Sequence, residues 1–328
     1  MSHENFWFRT LFKLKLYEAS GESFQRLFQD IMSYRYPDFR AVAPYGNQGD
    51  GGNDGWFSNE DRYFQIYGKK ASSELNLSYI LNKMIEDFEK IRNRWDVVRK
   101  YHFVYNDRFD GAPAPIQKKL KELQTTYNLE EANVWAGREL EQLFMELDQD
   151  QKESLLGGVS VQLPSFIDQK AVSEILKHLA DKVSPLPLLS EQTAPDFGEK
   201  IRINKLISPI SDGLKHYSCQ VSDVDDFLDG QYSGLKQEIA QDMKKLYNES
   251  CLKIPERAEN VANIRYAWMV EKLIPSKVQT EAKEYPHSLK AYREAAQVVL
   301  AKYFEACDIY EHPESVFLKP MTEQHKLF

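Results

Sequence analysis

The chain has 328 residues and a formal net charge of −8 at pH 7. This length corresponds to about two domains of the usual ~100–200 residues, and 42% hydrophobic residues are enough to build cores, which argues against intrinsic disorder. Free-standing DNA-binding proteins are usually basic, so the acidic balance argues against strong unaided binding to DNA, while a local basic patch or delivery by a partner stays open.

The N-terminal stretch from Met1 to Ser20 mixes charged with apolar residues, so no signal peptide is expected. No stretch approaches the roughly 18 apolar residues of a membrane helix. The three cysteines are far apart in the sequence, which fits a reducing compartment and gives neither a disulfide framework nor a zinc site. We therefore expect a cytoplasmic protein without membrane contact.

The first 150 residues have the pattern of alternating helices and strands. Apolar residues from Trp7 to Tyr34 recur at steps that predict one helix, interrupted by Gly21, and a glycine-dense turn region runs from Tyr45 to Gly55. The strands predicted after the first helix are Arg40–Pro44, Trp56–Phe57, Tyr63–Tyr67, Tyr101–Tyr105 and Ala132–Ala136, and the helices are Leu75–Val98, Pro115–Thr125 and Arg138–Leu147. This order predicts an α/β fold with a small central mixed sheet flanked by helices.

The composition changes after Leu147. Glycines 157 and 158 with Pro164 indicate a linker, a short helix follows over Asp168–Lys182, and Pro185–Pro195 is a second linker. From Ile201 to Phe304 the pattern is helical almost throughout. We therefore predict an α/β domain over 1–150, a linker with a short helix over 151–200, and an all-α partner-binding domain over 201–328.

Three polar residues in the first domain have the types and order of a phosphodiester-cleaving metal site. Glu22 lies on the first helix, Asp54 at the start of a hairpin, and Gln65 on its second strand. Hydrolysis of a phosphodiester uses a divalent cation held by carboxylate and carbonyl oxygens. Asp50 is a weaker candidate because it lies further from the strand. We therefore name Glu22, Asp54 and Gln65 as candidate metal ligands.

Each of these residues also has an ordinary structural explanation. Glu22 taken alone is a solvated helix residue, and Asp54 followed by Gly55 is a common hairpin signal. Gln65 alone can satisfy a buried polar partner. The argument for a site rests on their order and on the predicted elements around them.

The arrangement of a helix Glu, an Asp-Gly and a strand Gln resembles the Mrr-like branch of the PD-(D/E)xK nucleases, in which Gln commonly replaces the second acid. More narrowly, Gly49–Gly55 followed by Tyr63–Tyr67 resembles the nuclease-like N-terminal domain of ABC-three-component (Lamassu-like) antiphage proteins, and Val299–Tyr310 resembles their C-terminal segment. This resemblance implies a restriction-endonuclease-like fold and cleavage of double-stranded DNA with Mg²⁺ or Mn²⁺. It also implies an SMC-like (Rad50-like) ATPase partner and a small third subunit.

The chain departs from that family pattern at one position. The motif lysine belongs two residues after the acid or amide, where this sequence has Tyr67. Lys69 has the same strand parity as Gln65, so a continued strand would bring it to the site and complete a catalytic set of Glu22, Asp54, Gln65 and Lys69. Otherwise the domain uses Lys70 or is inactive.

Basic residues between Lys83 and Lys121 are candidates for contacts with DNA phosphates, although interleaved acids also fit a solvated helix face. The chain has no phosphate-binding loop motif, so any use of ATP belongs to a partner. The leading hypothesis is a DNA endonuclease that its partners hold inactive and that becomes active by release and self-association. The alternatives are a catalytically inactive adaptor with a nuclease fold, and a stand-alone restriction-like enzyme. The last would need a basic recognition domain, which the C-terminal half does not resemble.

Overall fold

A computed structural model of the chain describes residues 1–43, 51–68, 76–95, 97–182, 196–232, 234–306 and 309–311. The chain divides into two compact units, here called the α/β unit (residues 12–155) and the helical unit (residues 1–11 and 156–328). Within the described ranges, no helix is long and apolar enough to span a lipid bilayer.

The α/β unit is built from short strands and the helices around them. Its strands are β1 (Arg40–Ala41), β2 (Gly55–Phe57), β3 (Arg62–Tyr67), β4 (Lys100–Tyr105) and β5 (Glu131–Trp135). Its helices are α1 (His3–Glu18, of which the first residues belong to the helical unit), α2 (Glu22–Arg35), α3 (Leu77–Arg94), α4 (Ala114–Tyr127), α5 (Gly137–Met145) and α6 (Gln149–Leu156). The predicted α/β class is therefore confirmed.

The five strands form one mixed sheet in the order β1-β2-β3-β4-β5. β2 is antiparallel to both of its neighbours, β1 and β3, with Gly55 paired to Phe64, whereas β3, β4 and β5 run parallel. Parallel neighbours require a crossover connection, which α3 supplies between β3 and β4 and α4 supplies between β4 and β5. The sheet is therefore mixed, as the sequence predicts.

Each face of the sheet packs against helices. Alternation along β3 puts Gln65 on the same face as Tyr63 and Tyr67, with Phe64 on the other. The face of Tyr63 is covered by apolar side chains of α3 and α4 in one core cluster. On the opposite face, Phe28 of α2 lies with its ring 5.4 Å from that of Phe64. The sheet is thus buried on both sides.

The first predicted helix is wrong in one respect, because two helices occupy this stretch. Gly21 has φ +47 and separates α1 from α2. The Nδ2 atom of Asn106, beyond the end of β4, donates to the carbonyl oxygens of Leu16 at 3.0 Å and Ala19 at 2.9 Å. Carbonyls at a helix end need outside donors, and Asn106 supplies them here, which ends α1.

The helical unit contains no strand among its described residues. Its remaining helices are α7 (Gln169–Ala180), α8 (Phe197–Ile203), α9 (Ile210–Ser218), α10 (Ser222–Asp229), α11 (Leu235–Lys253), α12 (Val261–Leu273), α13 (Ser276–Glu281) and α14 (Leu289–Glu305), with a short 3-10 helix at Pro286–Ser288. Both α12 and α14 are buried on most sides, and α14 contacts α7, α9 and α12. The predicted helical character of the C-terminal region is confirmed.

A buried arginine on α14 binds the backbone of residues 156–158, where the chain re-enters this unit. The guanidinium of Arg293 donates to both carboxylate oxygens of Glu271, at 2.6 and 3.0 Å. It also donates to the carbonyl oxygens of Gly158 at 2.7 Å and Leu156 at 2.6 Å. A buried guanidinium is tolerated only when its donors are paired. These bonds therefore hold the segment around Gly158 against α14.

His102 on β4 is buried in an apolar setting. Its ring lies 5.1 Å from the rings of both Phe64 and Trp135, and neither ring nitrogen has a hydrogen-bond partner among the described residues. Burial, followed by the charges of Arg62 and Lys100, lowers the pKa of His102 from 6.5 to about 3. The Glu131 carboxylate lies 4.0 Å away but does not offset this burial. His102 is therefore neutral in the folded protein.

We expect this histidine to make the α/β unit sensitive to acid. Above the unfolded pKa of about 6.5, His102 is neutral in both states and does not change the free energy of unfolding. As the pH falls from 6.5 towards 3, only the unfolded chain takes up the proton, so the free energy of unfolding decreases progressively. The loss amounts to about 2 kcal/mol near pH 5, at ~1.4 kcal/mol per unit. Urea unfolding of the wild type and of His102→Leu between pH 7.5 and 5 measures it. An unchanged acid slope in the variant would contradict the assignment.

Candidate functional site

Asp54 lies immediately before β2 and binds the strand that carries Gln65. Its backbone N–H donates to the carbonyl of Phe64 at 2.9 Å, and its Oδ2 accepts from the N–H of Ile66 at 2.6 Å. Phe64 and Ile66 are the chain neighbours of Gln65. The Asp54 side chain is only 7% exposed, so its carboxylate is held at the end of the hairpin, beside Gln65.

Two glutamines of α2 complete the surroundings of Asp54. Nε2 of Gln25 donates to Oδ1 of Asp54 at 2.9 Å, and Nε2 of Gln29 donates to its backbone carbonyl at 2.8 Å. Residues four apart lie on the same side of a helix, so both amides reach the hairpin together. A buried carboxylate is costly unless it accepts hydrogen bonds. Asp54 is thus compensated by donors from α2 and β3.

Gln65 is buried, and both ends of its amide are bonded. Its Nε2 donates to Oδ2 of Asp87 at 2.9 Å, and its Oε1 accepts from the hydroxyl of Tyr101. Burial, and then the charges of Asp87 and Asp54, raise the pKa of Tyr101 well above 10, so this hydroxyl remains protonated and can donate.

Asp87 on α3 is a site neighbour that the sequence analysis does not identify. Its Oδ2 is 2.7 Å from Nζ of Lys83 and its Oδ1 is 2.6 Å from Nζ of Lys90, and the residue is 5% exposed. Asp87 follows Ile80 by seven residues and therefore lies on the buried stripe of α3. A charged residue at such a core position is the sequence signal that would have identified it.

The described end of the glycine-rich segment lies against α3. Gly52 has φ +81, and a Cβ atom there would lie 2.3 Å from the carbonyl oxygen of Asp87. Asn53 is fully buried, and its Oδ1 accepts from the N–H of Gly55 at 3.0 Å. The glycine is required for this close approach, which brings the turn before Asp54 next to Asp87. Asp50 lies outside the described residues.

Glu22 does not join Asp54 and Gln65. Its side chain is 79% exposed and binds Arg26, one turn further along α2, at 2.9 Å. The first turn of α2 is nevertheless beside the end of β3, because the N–H of Gly21 donates to the carbonyl of Gly68 at 2.8 Å. Glu22 as a metal ligand stays a prediction and requires its carboxylate to leave Arg26.

The position of the motif lysine is occupied by Tyr67, whose ring packs against aromatic rings of β4. The ring of Tyr67 is 6.1 Å from that of Tyr105 and 6.2 Å from that of Phe103, in stacked orientation. Lys69 and Lys70, the two candidates for the missing lysine, lie outside the described residues. The catalytic role of Lys69 therefore stays a prediction.

Much of the basic cluster predicted to contact DNA is bonded within the protein. Lys83 and Lys90 pair with Asp87, and the guanidinium of Arg92 lies 4.0 Å from the ring centre of Tyr127. Further pairs join Arg99 to Asp61, Lys100 to Glu60, and Lys119 to Glu122. These pairings reduce the positive field that the surface offers to a phosphate backbone.

The donor chemistry of Asp54 and Gln65 fits a hard divalent cation. Mg²⁺ binds oxygen ligands and is usually held by one or two carboxylates while it keeps several waters. Asp54 offers a carboxylate and Gln65 an amide oxygen at the same end of the hairpin. Across the part of the chain that the structure describes, no three His, Cys, Asp or Glu side chains gather to hold a metal. A cation here would therefore depend on Asp54, on Gln65 and on water.

A groove of about 510 Å³ lies elsewhere in the α/β unit, between α4 and β5. Its lining includes Lys121, Trp135 and Glu139. It contains none of the candidate site residues, and a single carboxylate beside a lysine is a poor cation site. The groove therefore does not compete with the Asp54 site as a metal centre.

Comparison with known proteins identifies one matching family. Residues 170–311 match the model of C-terminal domain 10 of the ABC-three component (ABC-3C) systems. Among curated proteins and solved structures, no significant match is found. The match covers the helical region and supports a role for the chain in an ABC-3C system, and thereby in antiphage defence, while it does not extend to the α/β unit.

We expect Gly52→Ala to loosen the site. The substitution adds a clash with the Asp87 carbonyl, worth about 1–3 kcal/mol as overpacking, to the cost of about 1 kcal/mol for a left-handed alanine. Gly111→Ala is the matched control, since Gly111 has φ +84 with no atom near its absent Cβ. Thermal unfolding of both variants gives the difference. Equal destabilisation would show that the close approach to Asp87 is not needed.

Proposed function

We propose that the chain is a metal-dependent DNA endonuclease and the effector of an ABC-three-component antiphage system. The observation that carries the proposal is the pair of hydrogen bonds that joins Asp54 to the backbone of Phe64 and Ile66. These bonds bring a buried carboxylate beside Gln65. The order of α2, an antiparallel hairpin and the α3 crossover to β4 agrees with the restriction-endonuclease-like fold that the sequence resemblance implies. The family match over residues 170–311 supports the link to antiphage defence.

In this proposal the residues of the chain prepare the site before substrate arrives. Asp54 and Gln65 would hold Mg²⁺ or Mn²⁺, which when bound polarises a phosphate and lowers the pKa of an attacking water. Gln25 of α2 and the Ile66 N–H fix the Asp54 carboxylate, and Gln29 binds the Asp54 backbone carbonyl, so that little reorganisation is needed when charge develops. Glu22 would add an oxygen once it is released from Arg26, and Lys69 would stabilise negative charge.

The proposed partners are an SMC-like (Rad50-like) ATPase, a small third subunit and double-stranded DNA. ABC-3C systems have several components, which supports protein partners for the helical unit. The sequence contains no phosphate-loop motif, so in this proposal any use of ATP belongs to another subunit. The helical unit, which has no proposed chemistry of its own, would provide the docking surface.

We further propose that partners restrain the nuclease and that release allows it to self-associate. A nuclease of low specificity endangers its own host, so its activity has to depend on whether its partners are bound. The net charge of −8 and the internal pairing of the basic residues make unaided DNA binding weak. Self-association would combine the basic surfaces of several copies and raise avidity without new contacts.

A second candidate function is a non-catalytic adaptor that keeps the fold to bind DNA or protein. Two observations favour it, namely Tyr67 at the motif-lysine position and the engagement of Glu22 with Arg26. The adaptor predicts binding without cleavage under every metal condition. The nuclease predicts cleavage that depends on Asp54.

Asp54→Asn is expected to abolish Mg²⁺-dependent cleavage of plasmid DNA. The loss should exceed about 100-fold, since removing even an outer partner of a metal ligand costs about 10–100-fold. The assay compares supercoiled plasmid cutting by the wild type and the variant, alone and with the ATPase partner. Circular dichroism verifies that the variant is folded.

Asp61→Asn serves as the matched control at the other end of the same hairpin. Asp61 pairs with Arg99 and lies away from Gln65 along β3, so its loss should leave cleavage near the wild-type rate. Full cleavage by folded Asp54→Asn would exclude the nuclease assignment. Binding of DNA without cleavage by any form of the protein would support the adaptor.

The chain released from its partners is expected to cut DNA faster than the resting complex at the same concentration and physiological salt. Cleavage rate and molecular mass are measured together over a concentration series. Faster cutting by the resting complex at every concentration would exclude restraint by partners. A released chain that is fully active as a monomer would exclude self-association as the switch.

A further inference from the structure

Strand β5 is an edge of the sheet, and part of its backbone is directed away from the other strands. Among the described residues it pairs with β4 alone. The N–H of Asn106 donates to the carbonyl of Tyr67 at 3.1 Å, so even-numbered residues of β4 bond to β3 and odd-numbered ones bond to β5. Phe103 therefore bonds to the two neighbours of its register partner Val134. The N–H and C=O groups of Ala132 and Val134 then face outward.

The open part of this edge is short because side chains close it at both ends. Nε2 of Gln124 on α4 donates to the carbonyl of Glu130 at 3.1 Å. At the other end, the N–H of Ala136 donates to a carboxylate oxygen of Glu139 at 3.0 Å. Between these two bonds lie the outward N–H and C=O groups of two residues, to which no described residue bonds.

A groove beside the open edge gives an approaching strand its place. This is the groove of about 510 Å³ between α4 and β5, and its lining includes Ala132, Val134, Trp135 and Leu120. Ala132 is only 7% exposed, and Val134 and Trp135 are partly buried. Backbone groups that are shielded from water and lack a hydrogen bond are costly. A strand that bonds this edge is therefore favourable.

The open edge is complementary to itself. In an antiparallel pair centred on Asn133, Ala132 of one copy lies opposite Val134 of the other, and each such pair exchanges two backbone bonds. The two symmetric pairs use every outward group of both copies. On the other face of the sheet, Asn133 lies opposite its own copy and Glu131 lies opposite Trp135 of the second copy. No charged side chain faces its like, which would oppose pairing.

We propose that β5 is a self-association surface, on which β5 of a second copy pairs antiparallel about a two-fold axis at Asn133. The occupant is a second copy because the open edge matches its own short length, whereas a longer strand would meet the bonds of Gln124 and Glu139. The proposal gives the self-association of the proposed function its surface, and in this respect it rests on that function. Backbone bonds so few in number make pairing dependent on concentration.

The first test is disulfide formation by the full chain without other subunits. Asn133→Cys is expected to form a dimer on oxidation, because the two copies of residue 133 face each other with Cα atoms about 4.5 Å apart, within the range of a disulfide. Mass spectrometry identifies the linked peptide and separates it from links through the three native cysteines. Glu131→Cys is the matched control. Its two copies lie about 14 Å apart along the strands and should not link.

The second test is sedimentation velocity over a concentration series. Val134→Pro is expected to weaken association at least about tenfold, because each copy loses one outward donor of the pairing. The fold should persist, since a proline is tolerated on an edge strand where its missing N–H faces outward. Val134→Ala is the matched control, because it keeps the N–H and should associate as the wild type does. Where Val134→Pro fails to fold, the cross-link at residue 133 decides.

The outcomes separate this surface from the proposed function. A wild type that stays monomeric at every concentration overturns the proposal, as does equal linking at residues 131 and 133. If the wild type self-associates without a link at 133 and Val134→Pro behaves alike, another surface is used and only β5 is excluded. Loss of co-purification with another subunit in Val134→Pro, with a monomeric wild type, assigns the edge to that subunit instead. Plasmid cleavage that depends on Asp54 retains the nuclease assignment in each case.

Discussion

Removing the Asp54 carboxylate from water has a cost that must be offset by hydrogen bonds, and the donors that provide them join the main parts of the α/β unit. One donor comes from the side chain of Gln25 on α2 and one from the backbone of Ile66 on β3, while the Asp54 backbone binds Phe64 and Gln29. The carboxylate keeps these partners only while α2 stays packed against the hairpin in its present position. The stability of this unit and its proposed chemistry are therefore linked through one side chain.

The elements of the α/β unit were largely predictable because their signals are local. The stripe from Ile80 to Ile91 predicts α3, and alternation from Tyr63 to Tyr67 predicts β3, since each pattern concerns neighbours within a few residues. The break between α1 and α2 is only partly local. Gly21, which the sequence marks as an interruption, has φ +47. The Asn106 side chain, which binds the Leu16 carbonyl at the end of α1, is 90 residues away in sequence, and no local pattern reports such a contact.

The difference between local signals and long-range contacts also explains which residues of the candidate site were predictable. Asp54 and Gln65 are recognisable because both belong to one hairpin, Asp54 immediately before β2 and Gln65 on β3, whereas Glu22 lies on α2 and binds Arg26. Asp87 has a sequence signal, because it is a charged residue on an apolar stripe, but its bond to Gln65 becomes evident only when the strand that faces α3 is known. The site thus combines a short-range motif with a long-range contact, and the family match informs neither, because it covers the helical region.

The bonds of Arg293 have a consequence for how the helical region can be isolated. The family match begins at residue 170, but two of the acceptors that satisfy this guanidinium are the carbonyls of Leu156 and Gly158. The N-terminal residues belong to the same unit, where Trp7 and Phe8 are buried and His3 bonds the carbonyl of Ser160 at 2.9 Å. A fragment cut at the family boundary would leave buried donors unpaired and apolar surface uncovered. The compact helical unit is therefore discontinuous in sequence, and its two segments have to be expressed together.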